Sequence, residues 1–203
     1  MQASDLAKTD IGTVTEIHLA QVMAELRVLM EKLYRRNPSE WRRHGKPSAE
    51  FVVERVFRGP RVPDFVELAG ARSTDSIRLA FRADYGGDRV LAFVAGLTDM
   101  IHTAYGNRTE FYVLTGVEPQ KLYNSARNVE VAAWLLASEH RPDGAPWLLS
   151  NSLSGEVRNL SFERQFGKII AVQDTMARIA ATKHKRRIRF IVHRAASAVF
   201  LPL

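Results

Sequence analysis

The sequence predicts an all-α fold, a compact bundle of about six to eight helices, and three observations point to it. Apolar residues recur at three- and four-residue intervals over long stretches, which gathers them on one side of a helix. Gly, Pro and capping residues punctuate these stretches at helical lengths. The composition, 46% hydrophobic and 25% charged, is that of a folded domain and far from that of a disordered chain.

Residues 1–12 are small and polar and read as a flexible leader, and residues 13–203 as a single helical domain. From Val14, the residues Leu19, Val22, Met23, Leu26, Leu29, Met30 and Leu33 form one helical stripe, which Asn37-Pro38 ends because the residue before Pro is pushed out of the α region. The same dipeptide opens a short helix. Asn37 is placed to cap it, Pro38 suits its first turn, and Glu40 stands three residues after the cap. Gly45 stops that turn, which carries Trp41. Ser48 caps a helix over Ala49–Arg58, and Gly59-Pro60 closes it. Residues 59–73 read as a connection with a short turn at Asp64–Leu68.

Thr74-Asp75 opens a helix to about Ala83. Asp88 caps the next, which runs to Tyr105 and ends at Gly106-Asn107. Its stripe of Val90, Phe93, Val94, Leu97, Met100, Ile101 and Ala104 is backed by Ala92, Ala95 and Gly96, small enough for a second helix to approach closely. This is the candidate central helix. Glu110–Thr115 leaves room for one short β segment, although a short helix fits equally well. Pro119 begins a helix to about Ser138, His140–Gly155 is loop-rich, and Ser161 caps a long helix through Ala180. Beyond Lys183, the residues Ile188, Ile191, Val192, Ala195 and Val199 favour helix over strand.

Several function classes are excluded or given no support. With no cysteine, the chain has no disulfide, thiolate metal site or Cys nucleophile. The most apolar windows, Val90–Tyr105 and Ile188–Leu203, are too short or too charged to span a membrane. Met1–Asp5 is polar and is no signal peptide, so a cytosolic chain or a mature exported one is expected. Phosphate-loop, dinucleotide, nucleophile-elbow and zinc-helix motifs are missing, and nothing implies a cofactor.

Asp99 and His102, three apart, fall on neighbouring positions of one helical face. They could form half of a metal site or a carboxylate-oriented base, the lead for a hydrolase or metal enzyme. Projection sets them opposite the main apolar stripe, so a surface or capping role is the expectation. His18, His44, His140, His184 and His193 read as surface residues. Trp41, Tyr112, Tyr123, Trp134 and Trp147 read first as core residues, and the loop Pro146–Ser152 as a place where function could sit.

The net charge is +7. Lys183, Lys185, Arg186, Arg187 and Arg189, with Arg194, form a run without an acid, and Arg35, Arg36, Arg42, Arg43 and Lys46 form a second basic stretch. Such runs are candidates for nucleic acid, lipid headgroups or another polyanion, and otherwise are solvated faces paired with carboxylates.

The run Leu29-Met30-Glu31-Lys32-Leu33-Tyr34-Arg35-Arg36-Asn37-Pro38-Ser39-Glu40-Trp41 resembles a segment of uncharacterised proteobacterial lipoproteins, in which a helix ends in Leu-Tyr, basic residues, Asn-Pro and a nearby Trp. The resemblance covers these residues alone. It implies a periplasmic protein anchored to a membrane through a lipidated N-terminal Cys that this sequence does not contain, and it supplies no catalytic residues. The leading expectation is therefore a non-enzymatic envelope protein that binds a protein partner or a membrane surface. A cytoplasmic polyanion binder is the alternative.

Overall fold

The computed structural model describes residues 10–112, 117–152, 155–157, 159–183, 188 and 198–203. Among them are seven α-helices and no strand: α1 (Asp10–Arg36), α2 (Pro38–Arg43), α3 (Ala49–Phe57), α4 (Ser73–Leu79), α5 (Arg89–Ala104), α6 (Pro119–Ser138) and α7 (Ser161–Lys183). The all-α expectation holds. Within Glu110–Thr115, the described residues 110–112 form no strand, and 113–115 lie outside the described residues.

Helix α5 is the axis of the bundle. Every residue in it except Thr103 is buried, and α1, α4 and α6 pack around it while α7 closes against α1 and α6. A helix this rich in apolar residues belongs in the interior, and its few polar residues, Arg89, Thr98, Asp99 and His102, are buried with it. Its start matches the predicted cap, the Asp88 carboxylate accepting from Leu91 N at 3.0 Å. Its end falls at Gly106 and Asn107, both with left-handed φ (71° and 55°). The small-residue side works as the sequence suggests: at Gly96 an added Cβ would lie 2.7 Å from both Ile77 N and Ser73 O of α4. Ser76 Oγ completes this contact by donating to Ala92 O at 2.8 Å.

Helix α1 buries Leu19, Val22, Leu26, Leu29, Met30 and Leu33, as its stripe predicts, but leaves Met23 only partly covered. It begins at Asp10, inside the segment read as leader, and Gly12 and Thr15 are already buried. Helix α4 stops at Leu79 rather than near Ala83 for a visible reason. The Arg89 guanidinium takes Ala80 O, Arg82 O and Tyr85 O at 2.6, 2.9 and 2.6 Å, carbonyls that a longer helix would turn inward. Ser48 caps α3 through Phe51 N, and α6 begins at Pro119 as expected.

Ser161 is the first residue of α7 rather than its cap, with Asn159 Oδ1 accepting from Ser161 N at 3.0 Å. Gln173 of α7 is fully buried, its amide bridging Tyr105, the residue just past α5, and Ser125 of α6. The terminal residues are held by Asn124 and Asn128 of α6, which bond Pro202 O and both backbone groups of Leu201. Of the tail predicted as helix, Ile188 and 198–203 are irregular, and the rest lies outside the described residues.

Candidate functional site

The face of α5 that carries Asp99 and His102 is covered, which corrects the expected surface role. The 58–72 connection crosses it, leaving Asp99 9% and His102 6% exposed. Sequence projection counts the solvent side of a helix but not the loop that folds over it. Arg72 clamps the connection in place, donating to Asp99 Oδ1 at 2.6 Å, to Val62 O at 3.4 Å, and to the exposed Asp64. Asp99 is thus committed to an arginine rather than to the imidazole three residues on.

Two hollows flank this strap. The smaller, about 190 Å³, lies over Asp99 and Ala95 between Val62, Phe65 and Arg72. The larger, about 370 Å³, opens between α1, the end of α3 and α5. Leu19, Ala20, Met23 and Ala24 form its α1 wall, Val56, Phe57 and Pro60 the facing wall, and Thr98 and His102 its floor. The partial exposure of Met23 is explained here, since it borders the cleft instead of filling the core.

The two charged residues that line the cleft, Arg27 and Glu16, are engaged. Arg27 pairs with Glu31 and Glu54, and Glu16 Oε1 accepts from Phe111 N at 3.1 Å. His102 differs, because its Nδ1 is buried without a hydrogen-bond partner. Burial lowers the affinity of the imidazole for a proton, and the nearby Asp99 offsets this only in part while Arg61 adds to it. The ring is therefore neutral at physiological pH. Among the described residues, no group of three metal-ligating side chains exists, so the paired-ligand idea finds no third member.

A second polar centre, at the start of α5, was not legible in the sequence. Glu40 does not close a capping box on α2. It is 2% exposed and accepts from Arg89 N at 2.8 Å, so it caps the neighbouring helix α5. Tyr34 OH donates to Asp88 Oδ2 at 2.8 Å, and burial raises the pKa values of both. Arg89 stacks on Trp147 with 4.1 Å from guanidinium to ring. Asn37, expected as a cap, makes no cap bond. Its amide donates to Leu33 O and Leu149 O and accepts from Leu149 N, all at 2.7–2.8 Å, fastening the 146–152 loop to the end of α1. Every one of these side chains has a partner, and the centre reads as structural.

The remaining sequence candidates disperse. Of the acid-free basic run, Lys183 ends α7 and is exposed, while Lys185, Arg186, Arg187, Arg189 and Arg194 lie outside the described residues, as do His184 and His193. In the second basic stretch, Arg36, Arg43 and Lys46 pair with Glu156, Glu40 and Glu67. Trp41 packs partly buried against the core with Arg42 over its ring. His18 Nδ1 lies 2.8 Å from Val14 O, and His140 Nδ1 lies 2.6 Å from Ser138 O. In the 146–152 loop, Ser150 is buried and Ser152 Oγ accepts from Asn159 N at 3.3 Å. Comparison with known proteins returns no matching family model, no matching curated protein and no matching solved structure.

Proposed function

We propose that this chain is a non-enzymatic binding protein of the cell envelope, and that it recognises its partner at the cleft between α1, α3 and α5. One observation carries the reading: an apolar hollow of about 370 Å³ floored by the most buried helix of the fold. Its α1 wall continues outward as Ile17, Ala20, Ala24 and Val28, exposed on one side of that helix. Apolar surface left open beside a concave site marks a place for a partner. The two charged residues that line it, Arg27 and Glu16, are held in ion pairs and a backbone bond, which suits holding a ligand better than moving protons. The envelope placement, periplasmic and lipid-anchored, rests on the Leu29–Trp41 resemblance.

The test is to fill the cleft. Ala24→Trp should abolish saturable binding of the neutral apolar dye N-phenyl-1-naphthylamine while leaving helical circular dichroism unchanged. Equal dye binding by the variant would refute the cleft. For the envelope, the native gene product should incorporate labelled palmitate and sediment with membranes, and an unlabelled cytosolic product would refute that part.

A second reading draws on the run Lys183, Lys185, Arg186, Arg187 and Arg189, which holds no acid. If it binds nucleic acid or another polyanion, log K should fall linearly with log salt, by roughly 0.9 for each phosphate neutralised on duplex DNA. Alanine at Arg186, Arg187 and Arg189 should then flatten the slope. Binding that ignores salt removes this reading.

A further inference from the structure

The cleft between α1, α3 and α5 has apolar walls and a charged mouth. Gly59 and Pro60 line it just past the end of α3. The next residue, Arg61, is exposed, and its side chain makes no hydrogen bond or ion pair among the described residues. We propose that the cleft takes a free single-chain fatty carboxylate, its alkyl tail laid between the walls and its head held at the mouth by Arg61. The inference rests on the proposed cleft and adds the chemical class of its occupant.

Charge and shape fix that class together. Arg27 is taken by Glu31 and Glu54, and the Glu54 carboxylate, held below its usual pKa first by Arg27, also feels Arg58. Arg61 has no such acid. Its charge reaches the floor of the cleft, where it adds to burial in lowering the proton affinity of His102. Arg108, next to the lining residue Thr109, is likewise exposed and outside any ion pair among the described residues. Of the carboxylates at this end, Glu16 accepts from Phe111 N and Glu110 from Tyr112 OH. The mouth therefore attracts an anion, and a head left at the surface keeps most of its hydration, so little desolvation opposes it. The floor asks for nothing polar. Thr98 Oγ1 donates to Val94 O at 2.7 Å, and the unpartnered His102 Nδ1 is closed to solvent. Leu19, Met23, Val56 and Phe57 face the tail. At about 370 Å³, near the lower end of the range of about 300–1,000 Å³ for ligand pockets, the cleft holds one alkyl chain of about eight carbons and excludes a two-chain lipid.

The experiment uses the full chain and three probes that share a tail, octanoate, 1-octanol and octyltrimethylammonium, each kept below micelle formation and followed by NMR of the Met23 and Val56 methyls. Octanoate and octanol should saturate and shift these methyls. At low salt octanoate should bind roughly two- to fivefold more tightly than octanol, with the ammonium weakest. Arg61→Gln removes no contact within the described fold and should bind octanoate and octanol alike. In about 1 M salt the preference of the parent protein should shrink in the same way. Equal binding of octanoate and octanol by the parent, or a preference that survives in Arg61→Gln, overturns the headgroup contact and leaves the cleft standing. Tighter binding of the ammonium overturns the anionic class. If no probe shifts Met23 or Val56, the cleft fails as well.

Discussion

Replacing Gly96 by alanine puts the packing of the central helix to a quantitative test. Helix propensity alone favours the change by about 1 kcal/mol, since glycine is a poor residue for a helix interior. The structure reverses the sign. The new methyl would sit 2.7 Å from Ile77 N and Ser73 O and 2.9 Å from Ile77 Cγ1, and two of these three atoms are backbone. Helix α4 would have to move as a body, breaking the buried Ser76–Ala92 bond and pulling against the carbonyls that Arg89 holds just beyond its end. Overpacking costs about 1–3 kcal/mol and the broken bond about 1 kcal/mol more. After the propensity gain, Gly96→Ala should be destabilised by about 1–3 kcal/mol, with Tm falling by about 2–4 °C for each of those. Gly167 is the control. It is exposed in the middle of α7, and an added Cβ there meets nothing within 4 Å, so Gly167→Ala should gain about 0.5–1 kcal/mol. Urea unfolding of both variants, followed by circular dichroism at 222 nm, measures the pair. A Gly96→Ala protein as stable as the parent would mean that α4 does not rest on α5 through this glycine.

Two further outcomes follow from the polar contacts. Asn37→Ala removes three bonds to Leu33 and Leu149 and should cost about 2–3 kcal/mol, with faster hydrogen exchange confined to residues 146–152; unchanged exchange at Leu149 would contradict the fastening role. For His102, burial holds the folded pKa below the unfolded value of about 6.5. As pH falls through 6.5 the unfolded chain takes up the proton first, so stability is full above that pH and declines below it, by at most about 1.4 kcal/mol per pH unit. Comparing urea midpoints of the parent and His102→Gln between pH 5 and 7.5 should show a shallower acid loss in the variant, and parallel profiles would refute the burial argument.

What the sequence alone determined was the helices and their punctuation. The α5 cap at Asp88, its end at Gly106-Asn107, the Ser48 cap, the Pro119 start and the close approach permitted by Ala92 and Gly96 are local facts of backbone and side-chain size, and periodicity carries them. Glu40 and Asn37 show the limit. Both have the residue type of a cap at capping distance, yet Glu40 caps a helix 49 positions away and Asn37 grips a loop 112 positions away. A short polar side chain serves whichever backbone group tertiary folding brings near, and sequence distance does not encode that. Asp99 and His102 follow the same logic. Helical projection set them on one face away from the stripe, but the 58–72 strap buried them, gave Asp99 to Arg72, and left His102 on the floor of a cleft. A cleft is the space between elements that meet at a distance in the chain, and only the packing of α1, α3 and α5 decided where that space would be.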